Sequence, residues 1–169
     1  RPPLWRLRMS ASRRRFLQAA GLGSRPYDSE GIAAQAMLIV EAGVARNVYV
    51  DTYYGRKLEM APTTGSASNR IVRPGRRPLA SIIADMDDGI YVTSWLGGNA
   101  DGTTGDYSFG CRGHRVVNGE IGGPVGEMNI TGNLLTLFSQ LIELGNDPWP
   151  YGRTLCPTLV FDQVQFAGA

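Results

Sequence analysis

The chain has 169 residues, 43% of them hydrophobic, which is enough to build a core within one domain. It contains no run of 18 apolar residues, so no transmembrane helix is expected. The formal net charge of +2 conceals an asymmetry: residues 1–25 hold seven arginines and no acid, leaving ten basic against fifteen acidic residues in the rest. An acidic body offers no obvious basic face for nucleic acid. Glycine and proline together make up about 19% of the chain, against an average of roughly 12%, which favours glycine-interrupted strands over long helices.

Residues 1–20 read as a basic leader, disordered or non-native. Ser12-Arg-Arg-Arg-Phe-Leu-Gln has the look of a twin-arginine signal. However, the apolar stretch that such a signal needs is replaced by Ala19-Ala-Gly-Leu-Gly and then a charged run, so export is not expected. Residues 24–31 are turn-rich. Met37-Leu-Ile-Val-Glu, Ala42-Gly43 and Val44-Ala-Arg-Asn-Val-Tyr-Val predict a hairpin. Asp51 to Leu58 predicts one or two helical turns, Asn69 to Arg73 a short strand, Leu79 to Met86 a short helix after Pro78, and Ile90 to Leu96 a strand. Asp87 and Asp88 fall in a solvated turn, and Arg73-Pro-Gly-Arg-Arg-Pro in a solvated basic loop.

Gly97 to Asp106 is the most glycine-dense stretch and is expected as a loop. It lacks the GxxxxGK[ST] phosphate cradle and the acidic spacing of a calcium loop. Tyr107 to Val117 and Glu120 to Val125 predict two antiparallel strands about Asn118-Gly119, a pair suited to a type I′ turn. The glycines within them suggest bulges, and Pro124 suggests an edge or a strand end. A helix is expected next, N-capped by Thr131, with Leu134, Leu137, Phe138, Leu141 and Leu144 at helical spacing and Leu135 and Ile142 widening the stripe. Gly145-Asn146 would stop it. Thr158 to Phe166 predicts a final strand.

Candidate chemistry is sparse. His114 is the sole histidine, with no HExxH around it, and in a strand it would point away from Cys111. The two cysteines, Cys111 and Cys156, fit neither a disulfide framework nor a paired zinc site, and reduced thiols in a cytoplasmic setting are expected. No GxSxG nucleophile elbow occurs.

Several ordered motifs carry a resemblance: Thr103-Thr-Gly-Asp-Tyr-Ser, Asn118-Gly-Glu-Ile, Pro124-Val-Gly-Glu-Met-Asn-Ile-Thr-Gly-Asn-Leu and Gly145-Asn-Asp. Gly23-Ser-Arg-Pro-Tyr-Asp-Ser-Glu-Gly, Asp51-Thr-Tyr-Tyr-Gly-Arg-Lys-Leu and Pro157-Thr-Leu-Val-Phe agree. From about Gly21 onward the chain resembles the C-terminal domain of the TldD/PmbA (TldE) family, metallopeptidase-related proteins once called modulators of DNA gyrase.

The resemblance implies part of a dimer whose cavity takes flexible peptides. The metal would be zinc, held by an HExxxH helix in the TldD-type subunit. That helix is absent here, and Cys156 sits too late to take the family's cysteine role. The wording of Glu120 to Leu135 is closer to the PmbA/TldE-type subunit, which lacks the metal motif and pairs with a TldD-like partner. This chain would then hold no cofactor of its own. Its groove candidates are Thr104, Gly105, Asp106, Ser108 and His114. Two other readings remain open: a truncated TldD-type zinc peptidase, or a stand-alone peptide-binding or assembly module using a sheet edge. The expected fold is α+β, a mostly antiparallel sheet with one long buried helix near the C-terminus, in a domain at 21–169.

Overall fold

The computed structural model describes residues 21–168, so the expected leader and the twin-arginine-like segment lie outside the described residues. The chain divides into two compact units. One holds residues 21–73 and 148–156, the other residues 74–147 and 157–168.

The first unit is built from short pieces. Strands β1 (Val40–Glu41) and β2 (Val44–Ala45) form the expected hairpin through Ala42-Gly43, both at positive φ. Helix α1 (Thr52–Leu58) starts at Asp51, whose carboxylate accepts from Tyr54 N at 2.7 Å. It stops at Glu59, which takes the left-handed conformation at φ 56°. Strand β3 (Arg70–Ile71) pairs in parallel with β8 (Thr154–Leu155).

The second unit centres on an antiparallel sheet in the order β10-β6-β5-β4. Its strands are β4 (Asp88–Ala100), β5 (Asp106–Val117), β6 (Glu120–Asn133) and β10 (Phe166–Gly168). Helix α2 (Leu79–Ala84) precedes β4 and buries Ile82 and Ile83. Asn118 and Gly119 make the expected tight turn, at φ 50° and 80°. The expected bulges are present as well. In β6, Gly122-Gly123 and Gly126-Glu127 each oppose a single residue of β5. Pro124 pairs with His114 on one side and lies outside the part of β6 that meets β10, so toward β10 its missing N–H breaks no ladder.

One face of this sheet is covered. Tyr107, Cys111, Met128 and Ile130 are buried there, with Ile90, Val92, Phe109, Val125, Leu134, Leu137, Val164 and Phe166 packed against them. The alternation of β5 puts Tyr107, Phe109 and Cys111 on that side, and their β6 partners include Ile130 and Met128.

Three expectations are corrected. The long buried helix near the C-terminus does not form, and no described helix exceeds seven residues. Instead, β6 runs through Thr131, which pairs with Ser108, as far as Asn133. Helix α3 (Leu134–Ser139) is six residues long and is capped by Asn133. It ends at Gln140, with φ −89° and ψ 1°, and β7 (Leu141–Leu144) then pairs with β9 (Leu159–Phe161). The apolar stripe that predicted a helix is divided between a helical turn and a strand, and Leu135 is left 81% exposed. Second, the expected final strand is two strands, β9 and β10, in different sheets. Third, the expected loop at Gly97 to Asp106 narrows to a turn at 101–105, since β4 continues to Ala100.

Candidate functional site

The five groove candidates do not converge. Thr104 and Gly105 lie in the turn between β4 and β5, Asp106 opens β5, and Ser108 lies on its exposed side. His114 is eight residues beyond Asp106, about 26 Å along an extended strand.

The turn is tied down by its own polar groups. Asp101 Oδ1 accepts from the amides of Thr103 at 2.6 Å and Thr104 at 3.1 Å, which hold its carboxyl below the ordinary value. Asn133 Nδ2 donates to Asp106 Oδ1 at 3.0 Å and to Thr104 O at 2.8 Å, while its Oδ1 caps α3 by accepting from Leu135 N at 3.0 Å. The Asn133 amide, followed by the Thr104 hydroxyl, lowers the Asp106 carboxyl. Both carboxylates are therefore engaged in shaping a loop. Sequence reasoning missed Asn133 because Thr131 offered an acceptable cap two residues earlier. The available signal was that asparagine ranks above threonine as a cap and stands directly before Leu134-Leu135.

Ser108 belongs to a different feature. On the open face of the sheet a shallow trough of about 350 Å³ is lined by Leu96, Gly97, Gly98, Ser108, Gly110 and Asn129, with Glu127 and Met128 at one side. Its floor is backbone. Gly98 lies at φ 145°, and a Cβ there would sit 2.2 Å from Ser108 O, so the two strands approach at a distance only glycine allows. The one charged pair beside it, Arg112 Nη2 to Glu127 Oε1 at 2.6 Å, is self-compensated. The trough therefore offers contact mainly through backbone and short polar side chains.

The residues described do not suit a catalytic metal. His114 is half-buried, with Nδ1 3.3 Å from Gly122 O. The Cys111 thiol is fully buried in the apolar cluster, and burial pushes its pKa up, away from the thiolate a metal would need. Among the described residues no three His, Cys, Asp or Glu side chains are grouped as a ligand set. No described helix is long and apolar enough to cross a membrane.

The first unit holds the most saturated polar centre. Asp28, 5% exposed, accepts from Glu30 N at 2.9 Å and Ile32 N at 3.0 Å on Oδ1, and from Thr64 Oγ1 at 3.0 Å and Gly65 N at 3.2 Å on Oδ2. Burial alone would raise its carboxyl, but these donors outweigh that and lower it. Arg25 Nη2 reaches Thr64 Oγ1 at 3.1 Å and Ser66 O at 2.7 Å, and Glu30 receives Thr52 N at 2.8 Å at the start of α1. Both Asp28 oxygens are committed to the fold, and of the Arg25 guanidinium only the buried Nε finds no partner, so this centre reads as architecture.

Comparison with known proteins places these features. Residues 15–168 match the family model for the PmbA/TldA metallopeptidase C-terminal domain. The chain is 33% identical over 150 residues to a metalloprotease PmbA homolog of Haemophilus influenzae, covering 87% of this chain and 33% of that protein. It is 26% identical over 134 residues to a zinc metalloprotease TldD homolog of Saccharolobus solfataricus, covering 72% and 30%. A solved structure from Bacteroides thetaiotaomicron, described as a modulator of DNA gyrase, superposes with a TM-score of 0.82 at 40% identity, covering 87% of this chain and 34% of that one. TldE from Thermococcus kodakarensis shares the fold at a TM-score of 0.76 and 21% identity, covering 85% and 36%. The chain thus spans about a third of the length of the relatives it matches. The family model and these relatives show that the chain belongs to the PmbA/TldD metallopeptidase family, matching that family's C-terminal domain.

Proposed function

We propose that this chain serves as the C-terminal domain of a PmbA/TldE-like, non-metal subunit that pairs with a TldD-like subunit and lines a chamber for flexible peptides. The observation that carries the reading is the open trough on the side of the sheet opposite the Tyr107–Cys111 cluster. The open side presents a glycine floor at Gly97, Gly98 and Gly110 beside Ser108 and Asn129. A backbone floor lets an extended chain of any sequence come close, and the neutral lining imposes little charge selection. Thr104, Gly105 and Asp106 lie at the β4–β5 turn before Ser108, and His114 lies farther along β5. Among the described residues no ligand set is grouped, and on this reading the zinc belongs to the TldD-like partner. The fully buried thiol of Cys111 suits a reducing, cytoplasmic setting.

The test is reconstitution. The purified chain with added zinc should leave an unfolded protein substrate intact. Joined to a TldD-type subunit it should co-elute as a complex, and cleavage by that complex should stop on chelation. Chelator-sensitive cleavage by the chain alone would refute the reading.

A further inference from the structure

Asn118-Gly119 is the single Asn-Gly pair in the sequence, and the structure puts it at the tip of the β5–β6 hairpin with Asn118 exposed. An asparagine before glycine is the most reactive context for spontaneous loss of side-chain ammonia, since no Cβ on the next residue hinders the approach of its backbone nitrogen. The turn is also clamped. Gly119 N donates to Met86 O at 2.9 Å and Asn118 N donates to Asp87 O at 2.7 Å. A Cβ on Gly119 would lie 2.6 Å from Ala84 O, so the end of α2 rests directly on the turn. Both turn residues are held at positive φ.

We propose that Asn118 is a deamidation site whose reactivity is held in check by the contact between the end of α2 and the hairpin tip. In the reaction the deprotonated Gly119 nitrogen attacks the Asn118 side-chain carbonyl carbon. The new N–C bond closes a five-membered succinimide, the bond to the side-chain nitrogen breaks, and ammonia leaves with a proton taken from water. Water then opens the ring to give aspartate or isoaspartate, with no change of oxidation state.

In the closed turn the Gly119 N–H is committed to Met86 O, so its nitrogen is neither readily deprotonated nor free to swing toward the Asn118 side chain. The reaction therefore requires the tip to leave α2. The product has two effects. It adds a negative charge next to Glu120 and Asp87. The isoaspartate form also inserts an extra backbone carbon into a two-residue turn whose geometry fixes the β5–β6 register. A molecule whose tip has opened is thereby marked and hindered from closing again.

The experiment incubates the full chain in mildly alkaline buffer and follows Asn118 by peptide mapping, beside a synthetic peptide of residues 112–124. The folded chain should react about tenfold or more slowly than the peptide, the expected size for a reaction gated by local opening. The gap should close as urea is raised, and Ile83→Ala, which hollows the buried side of α2, should narrow it at zero urea. Hydrogen exchange at Gly119, measured on the same samples, reports whether the tip has opened. The variant Asn118→Gly, compatible with the turn, should fold and give no product. Equal rates in chain and peptide while the Gly119 amide stays protected would overturn the proposal. So would an unreactive Asn118 in the urea-unfolded chain.

Discussion

Among the described residues of the first unit one large apolar side chain is buried, Val50, whereas the second buries Ile82, Ile83, Tyr107, Cys111, Val116, Met128 and Ile130. The two units solve the same problem with different physics. Strands of two residues, such as β1, β2 and β3, cannot fix their own register through side-chain alternation. Elsewhere in the same unit, directional bonds to Asp28, Glu30 and Asp51 hold the segments at 30–32, 52–54 and 64–65. The β4–β6 sheet has twelve or more residues per strand and a buried face, so a slip of one residue would turn Ile130 and Met128 out to solvent. Apolar packing needs length and period, and a carboxylate can organise a segment that has neither.

This contrast can be tested, beginning with the largest effect. Ile130→Ala removes a side chain at the centre of the apolar cluster and should cost about 2–5 kcal/mol, read as a lower denaturant midpoint for the β-sheet signal. A loss under about 1 kcal/mol would mean that the sheet is held by something other than this cluster.

Next comes the polar centre. The Asp28 carboxyl lies below the ordinary value of 3.8, so the folded form binds the proton more weakly than the unfolded chain. Its contribution is therefore complete above that value and is lost as the pH falls below it and through the folded value. Asp28→Asn should produce the same loss at neutral pH. The amides of Glu30, Ile32 and Gly65 should then lose about tenfold or more of their exchange protection, while that of Ile130 is kept. Loss of protection at both places together would show that the units unfold as one.

Smaller effects follow at positions where local geometry is specific. Glu59 ends α1 in the left-handed region, where a side chain is disfavoured, so Glu59→Gly should stabilise the first unit by about 1 kcal/mol in thermal or denaturant unfolding. Leu135→Gln should change stability by less than about 0.5 kcal/mol, because that side chain stands in solvent. A buried helix of the length that the sequence suggests would make the same substitution costly, so this smallest effect is also the sharpest check on the corrected architecture.

Much of the fold was legible where the signal is local. Asn118-Gly119 could be read as a tight turn because few residue pairs accept two positive φ values, and Asp51 to Leu58 as a helical turn or two because so short a helix depends on its own residues. The stretch from Leu134 to Leu144 failed because the spacing of its leucines fits a helix, while what makes its second half extended is a partner at Leu159–Phe161. No window around Leu141 contains that partner. The trough was half legible. Glycine density marked Gly97 and Gly98 as unusual, but the reason, the approach of Ser108 O across the ladder, appears only once β4 and β5 are paired. Ser108, Thr104 and His114 share one resemblance-based expectation of a groove, and the order of these candidates along β5 appears only with the strand.

The Asn133 amide touches three things at once: the carbonyl of Thr104, the carboxylate of Asp106 and the first turn of α3. The loop at 101–105 and the junction after β6 are therefore coupled in length. A residue inserted into that loop would carry Thr104 O out of reach and uncap α3 in the same event. Members of the family that retain asparagine at this place are expected to keep the loop at constant length, and members that extend it to have exchanged the asparagine. Variation at two sites some thirty residues apart is thus tied together by one side chain.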